Sequence, residues 1–373
     1  MTSGAVAAAG LLAVAVLTAG PATAAGTASR PQLTAAQAGG YTVGSYFGSW
    51  TPSSVGAVES LPATYSVGGS GSYRTVQSAI TAAAKAGGSS RVYIRVAAGT
   101  YREVVCVPSG APPITLYSTT ADAARTVIVF GNANPKPRSG SANTCSPGTS
   151  GTYGTGGSAT FFAFSKGFQA KNLTFANDYV EGTYSSSNQS AVALYAQGDQ
   201  QVYENVRVLG NQDSLLSYTP SPSTVSRQYF KGGYVEGDVD FIFGRGTAVL
   251  DGTEIRYLSA RTSNGAVLAP STAAGNAHGF LVINARLTVS GSASNSVLLG
   301  RAWDEGVGSL SGYVNGSSPN GQAVIRNSTI AGHIKRAAPW GASTVGRPFC
   351  SSGCAHSANR FAEYANTGPG SAG

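Results

Sequence analysis

The sequence is poor in charged residues, in methionine and in long apolar segments. Charged residues make up 11% of its 373 positions, and only 16 residues are acidic. The chain contains one Met. After residue 25 no segment approaches the ~20 consecutive apolar residues of a membrane span, which excludes an integral membrane protein. Long exposed helices are also disfavoured, because they are built mostly from charged residues and other strong helix formers.

Glycine, tyrosine and small polar residues take the place of the missing ones. The chain contains 50 Gly and 18 Tyr, with many Ser, Thr, Val and Asn. These are the residues of short strands and tight turns, so we predict an all-β fold. The net charge of +8 favours an anionic partner. Because the basic residues are scattered, an acidic polymer outside the cell fits better than nucleic acid.

The N-terminus has the pattern of an export signal. Apolar residues from position 5 to 17 precede Pro21 and the small-residue sequence A-T-A at 22–24, although no Lys or Arg comes before Arg30. We predict a signal peptide over 1–25 and a secreted, extracellular protein. A buried helix is the alternative.

Four cysteines fit an exported chain. An even number suggests two disulfides. The short spacing of Cys350 and Cys354 makes a local loop closure plausible, which leaves Cys106 and Cys145 for the second bond. The alternative is a metal site, but C-x-x-C is absent and His356 is the only nearby histidine.

A turn residue followed by a short strand recurs along the chain. The phrase begins at Asn172, Asn205, Gly233, Gly252, Asn284 and Asn327, at intervals of 19 to 43 residues. Strands repeated at such intervals without intervening helices indicate a β-solenoid, whose coils bury their apolar faces against one another. A β-sandwich is the alternative, but its hairpin spacing and turn signals are not seen. Helical spacing from Tyr73 to Ala86 predicts one short helix before the repeats.

Coil stacking would bring several polar residues together. Gln189, Asp213 and Asp240 are spaced by 24 and 27 residues. One coil each way, at about 4.8 Å, would place them on one face. Asp240 lies in a strongly apolar strand, where a carboxylate costs several kcal/mol unless it is paired. Arg301 offers the partner, and Trp303 would point to the same face of its strand.

Five ordered motifs resemble the pectin methylesterase (pectinesterase) family, bacterial type. They are G-S-Y-R-T-V at 71–76, Q-D-S-L at 212–215, V-D-F-I-F-G at 239–244, L-G-R-A-W at 299–303 and R-F-A-E-Y-A-N-T-G-P-G at 360–370. The resemblance implies a right-handed, single-stranded parallel β-helix with the short helix at its N-terminal cap. It also implies a monomeric carboxylic-ester hydrolase that converts pectin to pectate and methanol without a metal or cofactor.

The resemblance also implies residue roles. Asp240 would be the nucleophile and Asp213 the general acid and then base, with Arg301 beside the ionised carboxylate. Gln212 would donate to the oxyanion, with Gln189 as a second donor. Trp303 and Phe243 would be platforms for sugar rings, and Tyr195 a further substrate contact.

The sequence departs from the family pattern at several positions. One extra residue separates Gln189 from A-V-A-L at 191–194, and a local bulge would be needed to return its side chain to the site. Leu216, Asp238 and Ala302 replace the usual Tyr, Thr and Pro, which would alter substrate contacts.

A segment near the N-terminus resembles a part of the family that normally lies at the other end. Residues 30–43 and 48–52 resemble the family's C-terminal tail, so we predict a relocated tail-like helical segment and linker over 26–60 and the β-helix domain over 61–373. The alternative is a coincidental amphipathic helix with a linker.

Three other functions compete with the esterase. A pectate lyase would need an acidic calcium site and an Arg or Lys base, and a polygalacturonase a further carboxylate near the first two. A non-catalytic pectin-binding protein would need the central residues to be displaced. A serine–histidine esterase is disfavoured, because G-x-S-x-G is absent and the three histidines lie in unrelated contexts.

Overall fold

The fold is described by a computed structural model covering residues 1, 26–139 and 143–372. The predicted signal peptide, apart from Met1, lies outside the described residues. None of the helices in the described ranges is long and apolar enough to cross a membrane.

Successive coils add one strand to each of three parallel sheets, which form the right-handed parallel β-helix that was predicted. The first sheet contains β1 (Tyr65–Val67), β2 (Val92–Val96), β5 (Ile114–Tyr117), β8 (Gln169–Lys171), β11 (Gln201–Glu204), β14 (Arg227–Lys231), β17 (Thr247–Asp251), β20 (Phe280–Ile283), β23 (Gln322–Arg326) and β25 (Arg360–Tyr364). The second contains β3 (Gly99–Arg102), β6 (Thr126–Phe130), β9 (Thr174–Asn177), β12 (Arg207–Leu209), β15 (Tyr234–Gly237), β18 (Glu254–Leu258), β21 (Arg286–Ser290) and β24 (Thr329–Ile330). The third contains β4 (Val105–Val107), β7 (Phe161–Ala163), β10 (Leu194–Ala196), β13 (Leu215–Ser217), β16 (Ile242–Gly244), β19 (Ala266–Pro270) and β22 (Leu298–Gly300).

Helices are short and few in the described ranges. They are α1 (Ala35–Ala38), α2 (Val43–Phe47), α3 (Val76–Ala86) and α4 (Gly154–Gly157), with 3-10 turns at Val58–Ser60, Ala123–Arg125 and Leu310–Gly312. The predicted helix is α3, and it begins three residues later than expected because Thr75 is its N-cap and accepts a hydrogen bond from the Ser78 N–H. Its apolar side packs against the first coils.

The recurring Asn and Gly residues form the turn between the first and second sheets. Asn172, Asn205, Asn284 and Asn327 have φ between 49° and 58°, and Gly252 has φ 67°. Asn and Gly adopt this left-handed conformation most readily. The turns of neighbouring coils also bond to each other, since Asn205 Nδ2 donates to Asn172 Oδ1 at 2.9 Å. The predicted repeat therefore marks one corner of each coil.

The core runs along the axis of the coil stack. Phe161, Phe168 and Phe175 come from three successive segments of one coil and are all fully buried, with the Phe161 and Phe175 rings 4.4 Å apart. A single coil exposes the top and bottom of such rings, and the next coil covers them. Apolar burial of this kind supplies most of the stability.

Residues 26–62 cross the outer face of the first sheet, and we call them the strap. At the last coil, Arg30 makes a buried bidentate ion pair with Glu363 of β25, with distances of 2.8 and 2.7 Å. The backbone of the strap then pairs with β25, since the Leu33 N–H donates to Glu363 O at 2.8 Å. The strap therefore begins at the last coil of the β-helix.

The strap ends at the first coils. Tyr46 and Phe47 of α2 pack on apolar side chains of β17, β20 and β23, among them Leu281 of β20. The Val55 N–H donates to Glu204 of β11 at 3.1 Å, and Tyr117 of β5 donates to Pro62 O at 3.0 Å. Its relation to the family's tail stays a prediction.

Both disulfides are formed as predicted. Cys106 bonds to Cys145, and Cys350 bonds to Cys354. The first links β4 to the long loop before β7 and the second closes a short surface loop.

Candidate active site

Asp213 and Asp240 stand at equivalent points of two neighbouring coils. Each lies two residues before a strand of the third sheet, and Leu215 of β13 pairs with Ile242 of β16. The Asp213 N–H donates to Val239 O at 3.1 Å, which fixes the two turns against each other. Both residues are left-handed, with φ 66° and 49°. This conformation costs roughly 1–2 kcal/mol for a residue with a side chain, although Asp tolerates it better than most.

Arg301 follows β22 and holds the Asp240 carboxylate. Its Nη2 donates to Oδ2 at 2.6 Å and its Nε donates to Oδ1 at 3.0 Å. The Asp240 side chain is 13% exposed and the guanidinium side chain 34% exposed, so the pair opens to a surface cavity. A bidentate arginine fixes the plane of a carboxylate and favours its ionised form.

Asp213 lies in a different electrostatic environment. Burial raises its pKa well above the ordinary range, and the Asp240 charge raises it further. A hydrogen bond from Ser190 and the Arg301 charge oppose this rise without cancelling it. The two neighbouring carboxyl groups thus differ in their surroundings, since Asp213 has a raised pKa and Asp240 is paired with a guanidinium.

A cavity of about 170 Å³ contains these groups. Asp213, Asp240, Gln212, Phe243 and Trp303 line it, so the structure brings together five of the predicted residues at one place. Within the described ranges, no group of three or more His, Cys, Asp or Glu side chains is arranged to hold a metal ion.

The prediction for Gln189 is wrong. Its Oε1 accepts hydrogen bonds from the Tyr179 hydroxyl at 2.7 Å and the Gly182 N–H at 3.1 Å. Its Nε2 donates to the carbonyl oxygens of Tyr184 and Ser186 at 3.1 and 2.7 Å. The amide therefore organises the loop before β10, and no bulge returns it to the carboxylates.

Ser190 lines the cavity instead, and sequence reasoning missed it. It is 1% exposed, its hydroxyl donates to Asn188 Oδ1, and its proximity to the Asp213 carboxyl group lowers the pKa of that group. The signal was the extra residue, which puts Ser190 directly before the A-V-A-L sequence at 191–194.

An apolar row runs along the outer face of the third sheet. Register places Phe162, Tyr195, Leu216, Phe243 and Ala269 side by side, one on each coil. Tyr195 is partly exposed, whereas the other four side chains are at most 4% exposed, so the row forms a mostly buried apolar layer.

Trp303 packs beside this apolar layer, next to the carboxylates. Its ring centroid lies 5.7 Å from that of Phe243, with the two planes inclined by 50°. Tyr195 lies two coils from Phe243 on the same face, packed 4.9 Å from Phe164. It lies outside the cavity lining, and its role as a substrate contact stays a prediction.

A model of the pectinesterase family matches residues 63–373. The chain belongs to the pectinesterase family. It is 53% identical to a pectinesterase of Ralstonia solanacearum over 365 residues, which are 92% of each protein. It is 38% identical to a pectinesterase of Sitophilus oryzae, over 96% of this chain and 98% of that one.

Solved structures of pectinesterases agree. The structure of rice weevil pectin methyl esterase superposes with a TM-score of 0.84 at 35% identity, covering 93% of this chain and 99% of that chain. The predicted family, fold and enzyme class, a carboxylic-ester hydrolase, are therefore confirmed.

Proposed function

We propose that the chain hydrolyses galacturonate methyl esters of pectin in the cavity between Asp213 and Asp240. The observation that carries the proposal is the pairing of an arginine-bound carboxylate with a neighbouring carboxyl group whose pKa is raised well above its ordinary range. Acyl transfer through a covalent intermediate needs one nucleophile and one acid in that arrangement.

In the first half-reaction, the Asp240 carboxylate attacks the ester carbonyl carbon. Negative charge develops on the carbonyl oxygen, and the Gln212 amide, which lines the cavity, donates to it. Asp213 gives its proton to the methoxy oxygen as the carbon–oxygen bond breaks. Methanol leaves, and the galacturonyl group is joined to Asp240 as an anhydride.

In the second half-reaction, water replaces methanol. The Asp213 carboxylate takes a proton from the water, which attacks the anhydride carbonyl, and the bond to Asp240 breaks. Asp240 is again a carboxylate held by Arg301, and Asp213 again holds its proton. One ester and one water have become one carboxylic acid and one methanol.

Substrate binding would use the aromatic side chains that line the cavity and the charge of the protein. Phe243 and Trp303 offer rings on which sugars can pack beside the carboxylates. A net charge of +8 attracts a polyanion such as partly demethylated pectin.

Extracellular action is supported by the cysteines. Both disulfides suit an oxidising compartment, where pectin is found. We propose a secreted enzyme acting on the polymer, with no nucleic acid or membrane partner.

Methanol release from highly methylated pectin tests the proposal. We expect release by the wild type and a fall in kcat of about 10⁴-fold or more in Asp240→Asn, since catalytic groups that act as a unit fail together. Asp122→Asn is a matched control, because Asp122 is exposed and caps a 3-10 turn.

The same reaction mixtures separate the rival activities. Products absorbing in the ultraviolet would identify a lyase, and shortened chains without methanol a glycosidase. Binding of pectin without any product would identify a non-catalytic protein.

A further inference from the structure

Three charged residues beside the cavity take no part in the reaction just described. Arg261 donates from Nε to Asp238 Oδ2 at 2.8 Å and from Nη2 to Asp238 Oδ1 at 2.7 Å. It also forms an ion pair with Glu181. Asp238 is 1% exposed, Glu181 9% and Arg261 38%. We call these three residues the Arg261 cluster.

The cluster surrounds the turn that carries Gln212 and Asp213. Glu181 precedes β10, Asp238 precedes β16 and Arg261 precedes β19, while the turn itself precedes β13. All four segments are connections between the second and third sheets. The cluster therefore spans four consecutive coils, at the turns between the second and third sheets, where Asp213 also lies.

Backbone hydrogen bonds connect the Arg261 cluster to the Gln212–Asp213 turn. The Asp238 N–H donates to Asn211 O at 3.2 Å, and the Asp213 N–H donates to Val239 O at 3.1 Å. Glu181 belongs to the same cluster through its ion pair with Arg261, and burial raises the pKa of its carboxyl group. The turn is thus hydrogen-bonded to the Asp238–Val239 segment, which Arg261 links to Glu181.

A structural role alone does not account for this choice of residues. Two carboxylates share one guanidinium, which leaves excess negative charge at a largely buried place. Apolar residues of similar volume stabilise a fold as well or better than buried ions. The excess charge lies next to a carboxyl group that must keep a proton to work.

We propose that Arg261, Glu181 and Asp238 are positioning residues, which fix the Gln212–Asp213 turn for catalysis. The inference rests on the proposed function, because it assigns the cluster to the acid and the oxyanion donor of that reaction. It extends the site to Arg261, which lies in a loop 23 residues after Asp238.

The electrostatic part has a defined sign. The groups that act on Asp213 are Asp240 and Asp238, which raise its pKa, and Arg301 and Ser190, which lower it. Removing the Asp238 charge therefore lowers the pKa of Asp213, and the acid form is lost at a lower pH.

The test is the pH dependence of kcat and KM for methanol release by Asp238→Asn, Glu181→Gln and Arg261→Gln, with melting temperatures. We expect kcat to fall roughly 10- to 100-fold in Arg261→Gln with KM within about twofold, because the turn is misplaced. The alkaline limb should move down in Asp238→Asn, because the charge that raises the pKa of Asp213 is removed. Arg261→Lys should recover part of kcat.

Arg102→Gln is the matched control, since Arg102 pairs with Asp178 near Glu181 but is 59% exposed. We expect wild-type kinetics from it. Should Arg261→Gln not fold, the isosteric Asp238→Asn carries the test alone. An active wild type with an unmoved alkaline limb and unchanged kcat in Asp238→Asn overturns this inference and leaves the proposed function standing. A wild type that releases no methanol overturns both.

Discussion

Asp213 and Asp240 share a left-handed backbone conformation at the same position of consecutive coils, with φ 66° and 49°. The residues that follow them, Ser214 and Phe241, are completely buried. The kink thus turns each carboxyl group outward at the point where the chain enters the core. Such strain persists only where the surrounding structure enforces it, and it is typical of functional sites.

Asp213→Asn should be inactive and more stable at neutral pH. Asn suits the left-handed conformation and removes the ionisable group. Because the folded-state pKa of Asp213 is raised, its contribution to stability is full below the ordinary pKa and is lost as pH rises towards the folded value. Each unit of difference corresponds to about 1.4 kcal/mol.

Calorimetry at several pH values checks this. The melting temperature of Asp213→Asn should exceed that of the wild type at pH 7, and the gap should close as the pH approaches the ordinary carboxyl pKa. A less stable variant at pH 7 would contradict the assigned electrostatics.

Gln212→Ala should lose transition-state stabilisation rather than binding. One oxyanion donor is worth about 3 kcal/mol, so we expect kcat to fall by roughly 10²-fold while KM changes little. Initial rates across pectin concentrations separate the two constants. Gln37→Ala, in the exposed α1, is the control. A change confined to KM would argue for substrate contact only.

Trp303→Ala should weaken binding of pectin. Loss of an aromatic contact of about 1.5 kcal/mol raises KM roughly tenfold. The matched variant is Trp50→Ala, since Trp50 packs against Phe47 of the strap and does not line the cavity. Equal KM values for the two variants would remove Trp303 from the substrate path.

Arg30→Ala should destabilise the protein strongly. It leaves Glu363 buried without its cation, and burial already raises the pKa of that carboxyl group. Breaking a buried pair costs about 3–5 kcal/mol. Denaturant unfolding should show this loss, with the doubly apolar Arg30→Met/Glu363→Leu recovering stability. Arg102→Ala breaks an exposed pair and should cost less than about 1 kcal/mol.

The features that follow from regular stacking of the coils could be predicted from the sequence. Asn172 and Asn205 marked a corner that recurs on the coils, and the interval from Asp213 to Asp240 equals one coil. Once the register is fixed, the distance between those carboxyl groups follows. The pairing of Asp240 with Arg301 was also predicted, because a carboxylate in an apolar segment needs a cation, although Asp240 lies in the turn before β16 rather than in a strand.

The features of the site and the fold that the sequence did not predict lie in loops. Gln189 lies in a loop whose own carbonyl groups bind its amide, and no periodicity reports that preference. Arg261 meets Asp238 through a loop path set by tertiary packing, as loops commonly are. The course of the strap depends on contacts between residues some 300 positions apart.

Solenoids usually lose their end repeats first, since each repeat touches only its neighbours. Here the strap contacts β25 at one end and β5 at the other. Unfolding of a terminal coil would therefore also require the strap to detach, and the strap is bonded to coils near the opposite end as well. Thermal melting should accordingly proceed as a single all-or-none event, giving the enzyme few partly open states for proteases to cut.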